Sequence, residues 1–135
     1  MNATAKVLLY SDDRTVRERV RVALGRRVAS DVPELEIDEV ATHHAVVSAV
    51  ETQTYQLCIL DGEAVPAGGM GVAKQIKDEV RDCPPVLLLV ARPQDAWLAT
   101  WSGAEAVSPY PVDPVRLPSA VAELLRGAQK SGARG

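Results

Sequence analysis

The chain has 135 residues and a mass of 14.5 kDa, room for one domain that can bury a core without help from disulfides or metals. Hydrophobic residues make up 47% and charged residues 24%, the balance of an ordinary globular protein rather than a disordered or membrane one. A net charge of -3, aromatics at 4% and no phenylalanine exclude a basic footprint for nucleic acid and stacking platforms for bases, and leave Val, Leu, Ile and Ala to build the core.

Apolar runs of strand length alternate with segments of helical period, the pattern of a parallel sheet with crossover helices. The first strand is Lys6 to Tyr10. A helix follows from about Arg14 to Gly25, with Val16, Val20, Ala23 and Leu24 at helical spacing, Asp12 or Asp13 as cap and Gly25 as stop. Leu35 to Ala41 alternates apolar and acidic residues, as an edge strand exposed on one side does. Thr42 to Thr52 carries Ala45, Val46, Ala49 and Val50 on one face and reads as a second helix, weakened by its β-branched residues. Gln56 to Leu60 is apolar throughout and reads as a central third strand.

Asp61 closes that third strand as Asp12 and Asp13 close the first. Two strands thus deliver carboxylates at their carboxyl ends, where open α/β sheets bind ligands and where gathered acids meet a metal or a phosphoryl group. The next stretch, GEAVPAGG, must turn sharply beside that site. Gly69 to Arg81 resumes the helical period, with Met70, Ala73, Ile76 and Val80 as its buried stripe; Pro84 and Pro85 stop it, and VLLLVA supplies a buried fourth strand. Gln94 to Ser102 is a short fourth helix carrying Trp97 and Trp101 at i, i+4, one expected in the core and one partly exposed. A brief fifth strand, Ala106 to Ser108, leads through Pro109-Tyr110-Pro111 to the last helix, Asp113 to Gly127, with Leu117, Val121, Leu124 and Leu125 on one face. Residues 1–127 are expected to form the domain and residues 128–135, AQKSGARG, a disordered tail.

This (βα)5 order, the acids after strands one and three, and the phrase GAEAVSPYP resemble the receiver domain of bacterial two-component response regulators. The resemblance runs from Lys6 to about Arg126 and is strongest to the atypical, or pseudo-receiver, branch found free-standing in high-GC actinobacteria. It implies an α/β, flavodoxin-like fold, a doubly wound five-stranded parallel sheet in the order 2-1-3-4-5. Receivers accept a phosphoryl group from a histidine kinase onto one aspartate, with a magnesium ion held by that aspartate, a partner carboxylate and a backbone carbonyl. Carried over by position, Asp61 is the acceptor, Asp12 the coordinating partner and Glu63 the source of the carbonyl. The second member of the acid pair has become Ser11, which leaves magnesium one carboxylate fewer.

Other departures lie across the pocket. The hydroxyl residue that ends the family's fourth strand aligns with Val90, the lysine before the proline with Tyr110, and the switching aromatic of the fifth strand with Val107. A fixed cation and a hydroxyl donor are worth roughly 1.5 to 3 kcal/mol each in positioning and charge compensation, so their loss slows phosphoryl transfer by orders of magnitude. Pro66 comes one residue later than the family pattern. Arg92 is expected to pair with Glu63 or Asp61 and so replace part of the missing positive charge, with Arg14 as second candidate.

The expected function is therefore non-enzymatic signalling through protein contact. Phosphorylation is expected to be absent or weak, magnesium held weakly if at all, and the partners to be another protein and a second copy, through a face bearing Trp97 and Trp101. The alternative is a genuine magnesium-dependent phosphoacceptor at Asp61, served by a histidine kinase. Flavin binding is disfavoured by the acidic first loop SDDRT, and GEAVPAGGMG lacks the Walker lysine followed by Ser or Thr. His43 and His44 read as a solvated face, Cys58 and Cys83 as reduced structural thiols, and Tyr110 as a plug in the pocket. No run is long enough to cross a bilayer and MNATAK is no secretory signal, so a cytoplasmic location without membrane insertion is expected.

Overall fold

The computed structural model describes residues 4–64 and 68–133, with side chains of the last helix as far as Gly127. Its elements are β1 (Ala5–Tyr10), α1 (Arg14–Leu24), β2 (Leu35–Val40), α2 (His43–Thr52), β3 (Leu57–Asp61), α3 (Gly69–Glu79), β4 (Val86–Val90), α4 (Ala96–Ser102), β5 (Ala106–Pro109) and α5 (Arg116–Ala133). All strand pairs are parallel and the order is β2-β1-β3-β4-β5, the flavodoxin-like arrangement. Among the described residues no helix is long and apolar enough to cross a membrane.

Period-two alternation in the central strands divides the core into two layers. Leu8, Tyr10, Cys58, Leu60, Leu88 and Val90 face α2, α3 and α4, where they meet Val46, Val72, Ile76 and Ala99. Val7, Leu9, Ile59, Leu87 and Leu89 face the other way and meet Val16 and Val20 of α1 and Leu117, Val121 and Leu125 of α5. β3 and β4 are buried along their whole length, which is why their sequences are apolar but for Asp61 at the end of β3. β2, at the sheet edge, has no fully buried residue, and its acids Glu36, Asp38 and Glu39 discourage pairing with another strand.

Helix ends follow local chemistry. Asp13 caps α1 by accepting from the Thr15 amide at 2.8 Å, and Gly25 closes it at φ 61°, a left-handed conformation that glycine adopts freely. Thr42 caps α2 by accepting from the Ala45 amide at 3.1 Å. Asp113 accepts from the amides of Val115 and Arg116, so it caps α5 although the helix begins only at Arg116. At the other end α5 runs to Ala133, six residues past the expected stop: Gly127 is accommodated inside the helix and nothing lies within 4 Å of where its Cβ would be. Pro66 lies outside the described residues.

The two tryptophans depart from expectation. Both are exposed, Trp97 by 67% and Trp101 by 54%. Positions 97 and 101 lie on the side of α4 opposite Ala99, and the helix docks through the small side chains of Ala99 and Ser102 instead. The Lys74 ammonium lies 5.8 Å from the centre of the Trp101 ring.

Candidate functional site

The site forms because β1 and β3 are neighbours in the register Tyr10 to Leu60, so the next residues, Ser11 and Asp61, lie side by side at the carboxyl edge of the sheet. Both are buried, at 0% and 1% exposure. The Ser11 hydroxyl donates to Asp61 Oδ2 at 2.8 Å, and the Asp13 amide donates to the Ser11 oxygen at 3.0 Å. On the other side the Glu63 amide donates to Asp61 Oδ1 at 2.8 Å. Each carboxylate oxygen of Asp61 therefore has a donor.

Two glycines let the backbone close around this carboxylate. The Gly62 amide donates to the Leu89 carbonyl at 2.8 Å, and a Cβ at position 62 would stand 2.6 Å from that oxygen. A Cβ at Gly69 would stand 2.7 Å from the Asp61 carbonyl oxygen, so α3 starts against the backbone of the acid it helps to bury.

The electrostatics are one-sided. Burial pushes the Asp61 carboxyl above its ordinary value, the hydrogen bonds from Ser11 and Glu63 oppose that, and the charges of Asp12 and Glu63 add to the rise. Asp12 is exposed and Asp13 is spent as the helix cap. Tyr110, half-buried just after β5, has its phenol pushed up by burial and then by the charges of Asp61, Asp13, Glu63 and Asp12. Its amide donates to the Val90 carbonyl at 3.1 Å, and its peptide bond to Pro111 is cis. Val90 is buried, while Val107, on the opposite face of β5 from Ala106, is 41% exposed.

The expected charge partner is absent from the pocket. Arg92 is exposed and pairs with Asp95, three residues on, at 3.7 Å. The turn Pro93–Asp95 brings that acid back to the arginine, a local partner that costs less ordering than reaching across the mouth. Arg14 is exposed on the first turn of α1. Glu63 instead accepts from the Ala91 amide at 3.4 Å and so braces the turn after β4.

Arg17 is bonded to the backbone beside the site. Its guanidinium donates to the Ser11 carbonyl at 2.6 Å and to Glu39 of β2 at 3.1 Å, and Glu39 also meets Arg21 at 3.2 Å. Arg17 fixes the β1–α1 turn rather than the Asp61 carboxylate. Neither Ser11 as a donor nor Arg17 as a brace was foreseen; the signals were an alcohol where an acid was expected and an arginine beside the buried stripe of α1.

The negative charges of Asp12 and Glu63 both act on the buried Asp61 carboxyl, an acidic environment of the kind an oxygen-seeking cation favours. Among the described residues no group of three His, Cys, Asp or Glu is placed to hold a metal ion. A surface hollow of about 530 Å3 lies between α1 and the β5–α5 turn, lined by Thr15, Glu18, Arg19, Val22, Val112 and Pro114, and does not include Asp61.

No family model matches the chain. An uncharacterized response regulatory protein of Mycobacterium tuberculosis, found in two strains, is 53% identical over 121 residues, which span 90% of this chain and 91% of the relative. A solved chemotaxis response regulator of Vibrio cholerae superposes with a TM-score of 0.76 at 19% identity, covering 91% of this chain and 100% of that one. A two-component response regulator of the LuxR family from Aurantimonas superposes with a TM-score of 0.78 at 23% identity, covering 93% and 87%. These two structures speak for the fold alone.

Proposed function

The chain belongs to the response regulator family, and on that premise we propose that it is an atypical receiver that signals through protein contact, with phosphorylation at Asp61 weak or absent. The observation that carries this reading is the pocket's charge: the charged groups acting on the Asp61 carboxylate are the negative Asp12 and Glu63, opposed by neutral hydrogen bonds from Ser11 and the Glu63 amide, and at the positions where the family carries a lysine and a hydroxyl this chain has Tyr110 and Val90. Asp61 is held by Ser11 and the Glu63 amide, and Arg17 secures the turn beside it. A magnesium ion, if bound by Asp12, Asp61 and the Glu63 carbonyl, would supply charge neutralisation for an incoming phosphoryl group. Among the described residues the donors to the Asp61 carboxylate are the Ser11 hydroxyl and the Glu63 amide, neither of which brings the second positive charge that such a transfer gains from.

The output reading rests on exposed apolar surface. Trp97 and Trp101 on α4 and Val107 on β5 are large side chains left uncovered, the kind that anchor protein interfaces, and a homodimer or a heterologous protein partner through this face is the proposed mode of action. Direct nucleic-acid binding is not part of the proposal, because the net charge is -3.

The competing reading, a working phosphoacceptor, is favoured by the retention of Asp12, Asp61 and Glu63 around one buried carboxylate. Intact-mass spectrometry after incubation with a small acyl phosphate and magnesium separates the two. The proposed function expects only a trace of phosphorylated protein at times when an active receiver is fully modified; complete conversion, abolished by Asp61→Asn, establishes the competing one.

A further inference from the structure

The position that distinguishes this pocket is Ser11. Its place is fixed from three directions: the Ser11 amide donates to the Val40 carbonyl at 3.3 Å, its own carbonyl accepts from Arg17 at 2.6 Å, and its side-chain oxygen accepts from the Asp13 amide at 3.0 Å. With that oxygen already engaged as an acceptor, the single hydroxyl proton is directed at Asp61 Oδ2, 2.8 Å away and fully buried. An ionised carboxylate only accepts, so the direction of this bond is settled by chemistry.

We infer that Ser11 is a positioning residue that latches the Asp61 carboxylate in a cation-independent state, its hydroxyl occupying at Oδ2 the electrostatic role that a bound divalent cation would otherwise fill. With Oδ1 bonded to the Glu63 amide, a cation approaching from Asp12 must share or displace a charge-assisted hydrogen bond inside a buried pocket before it gains Asp61. The latch rests on the reading of Asp12, Asp61 and Glu63 as a weakened site for an oxygen-seeking cation. It goes beyond that reading by assigning the weakness to competition from Ser11 as well as to the carboxylate that is missing.

The test is a titration of the full chain with magnesium chloride alone, followed through the backbone amide resonances of Gly62 and Glu63, for wild type, Ser11→Ala, Ser11→Thr and Ser11→Asp. Removing the hydroxyl unlatches the carboxylate, so Ser11→Ala is expected to bind magnesium about tenfold more tightly than wild type. Ser11→Thr, which restores a hydroxyl, is expected to return to the wild-type affinity, a reversal that a packing defect would not produce. Ser11→Asp adds an anionic ligand and is expected to bind most tightly of the four. If Ser11→Ala binds magnesium no better than wild type while Ser11→Asp binds it well, the latch is overturned and the cation site stands. If none of the four shows a saturable shift, both the latch and the cation reading fall. Should Ser11→Asp fail to fold at this buried position, the Ala and Thr pair decides the matter alone.

Discussion

Ser11 and Asp61, fifty positions apart, share a buried hydrogen bond of 2.8 Å because β1 and β3 are parallel neighbours whose last paired residues are Tyr10 and Leu60. Asp61 is thereby kept inside the protein among negative neighbours, at a cost that titration exposes. Because the folded-state value is raised above the unfolded one, the folded protein holds more protons between the two values, and stability falls as pH rises through that interval. Asp61→Asn, isosteric and uncharged, removes this dependence. Urea denaturation at pH 4 and pH 8 is expected to show the variant's advantage over wild type growing with pH; a constant difference contradicts the account.

Two glycines of α3 are expected to respond oppositely to alanine. At Gly69 a Cβ would lie 2.7 Å from the Asp61 carbonyl oxygen, a backbone atom that cannot move aside, so Gly69→Ala is expected to cost roughly 1 to 3 kcal/mol. Gly71 has nothing within 4 Å of its Cβ position and sits inside the helix, so Gly71→Ala is expected to stabilise by about 0.5 to 1 kcal/mol. Thermal melts of the two variants should bracket the wild type.

Ser108 presents its hydroxyl to the interior with no hydrogen-bond partner at 1% exposure. Leaving a buried donor unpaired costs about 1 to 3 kcal/mol, so Ser108→Ala is expected to leave stability unchanged or raise it. Ser102, equally buried, donates to the Ala99 carbonyl at 2.7 Å, and Ser102→Ala is expected to lower it. Equal losses at the two positions would count against this distinction.

Trp97→Ala and Trp101→Ala remove exposed side chains and are expected to change folding stability by no more than about 0.5 kcal/mol. Their effect should fall on association instead, shifting the sedimentation profile toward monomer or weakening capture of a protein partner. Retained assembly and partner capture in the double variant would remove the case for α4 as the contact face.

Much of the architecture was legible because the signals were strong ones: apolar runs at β3 and β4, alternating acids at β2, and aspartates at the starts of α1 and α5. Asp61 and Asp12 were legible as strand-end acids. What sequence could not supply was competition between partners. Arg92 had an acid three residues away as well as acids across the crevice, and only geometry shows that Asp95 wins. Trp97 and Trp101 were weighed by size, whereas α4 docks through Ala99 and Ser102. The role of Ser11 depended on strand register, which fixes which side chains of separate segments touch.

The central claim, a receiver pocket too poorly compensated to be driven by phosphorylation, is tested most directly by adding beryllofluoride with millimolar magnesium and following the amide resonances of Asp61, Gly62 and Glu63. The account predicts no saturable shift beyond the one that magnesium alone produces. A saturable, magnesium-dependent shift that spreads to β5 and α4 and disappears in Asp61→Asn would contradict it.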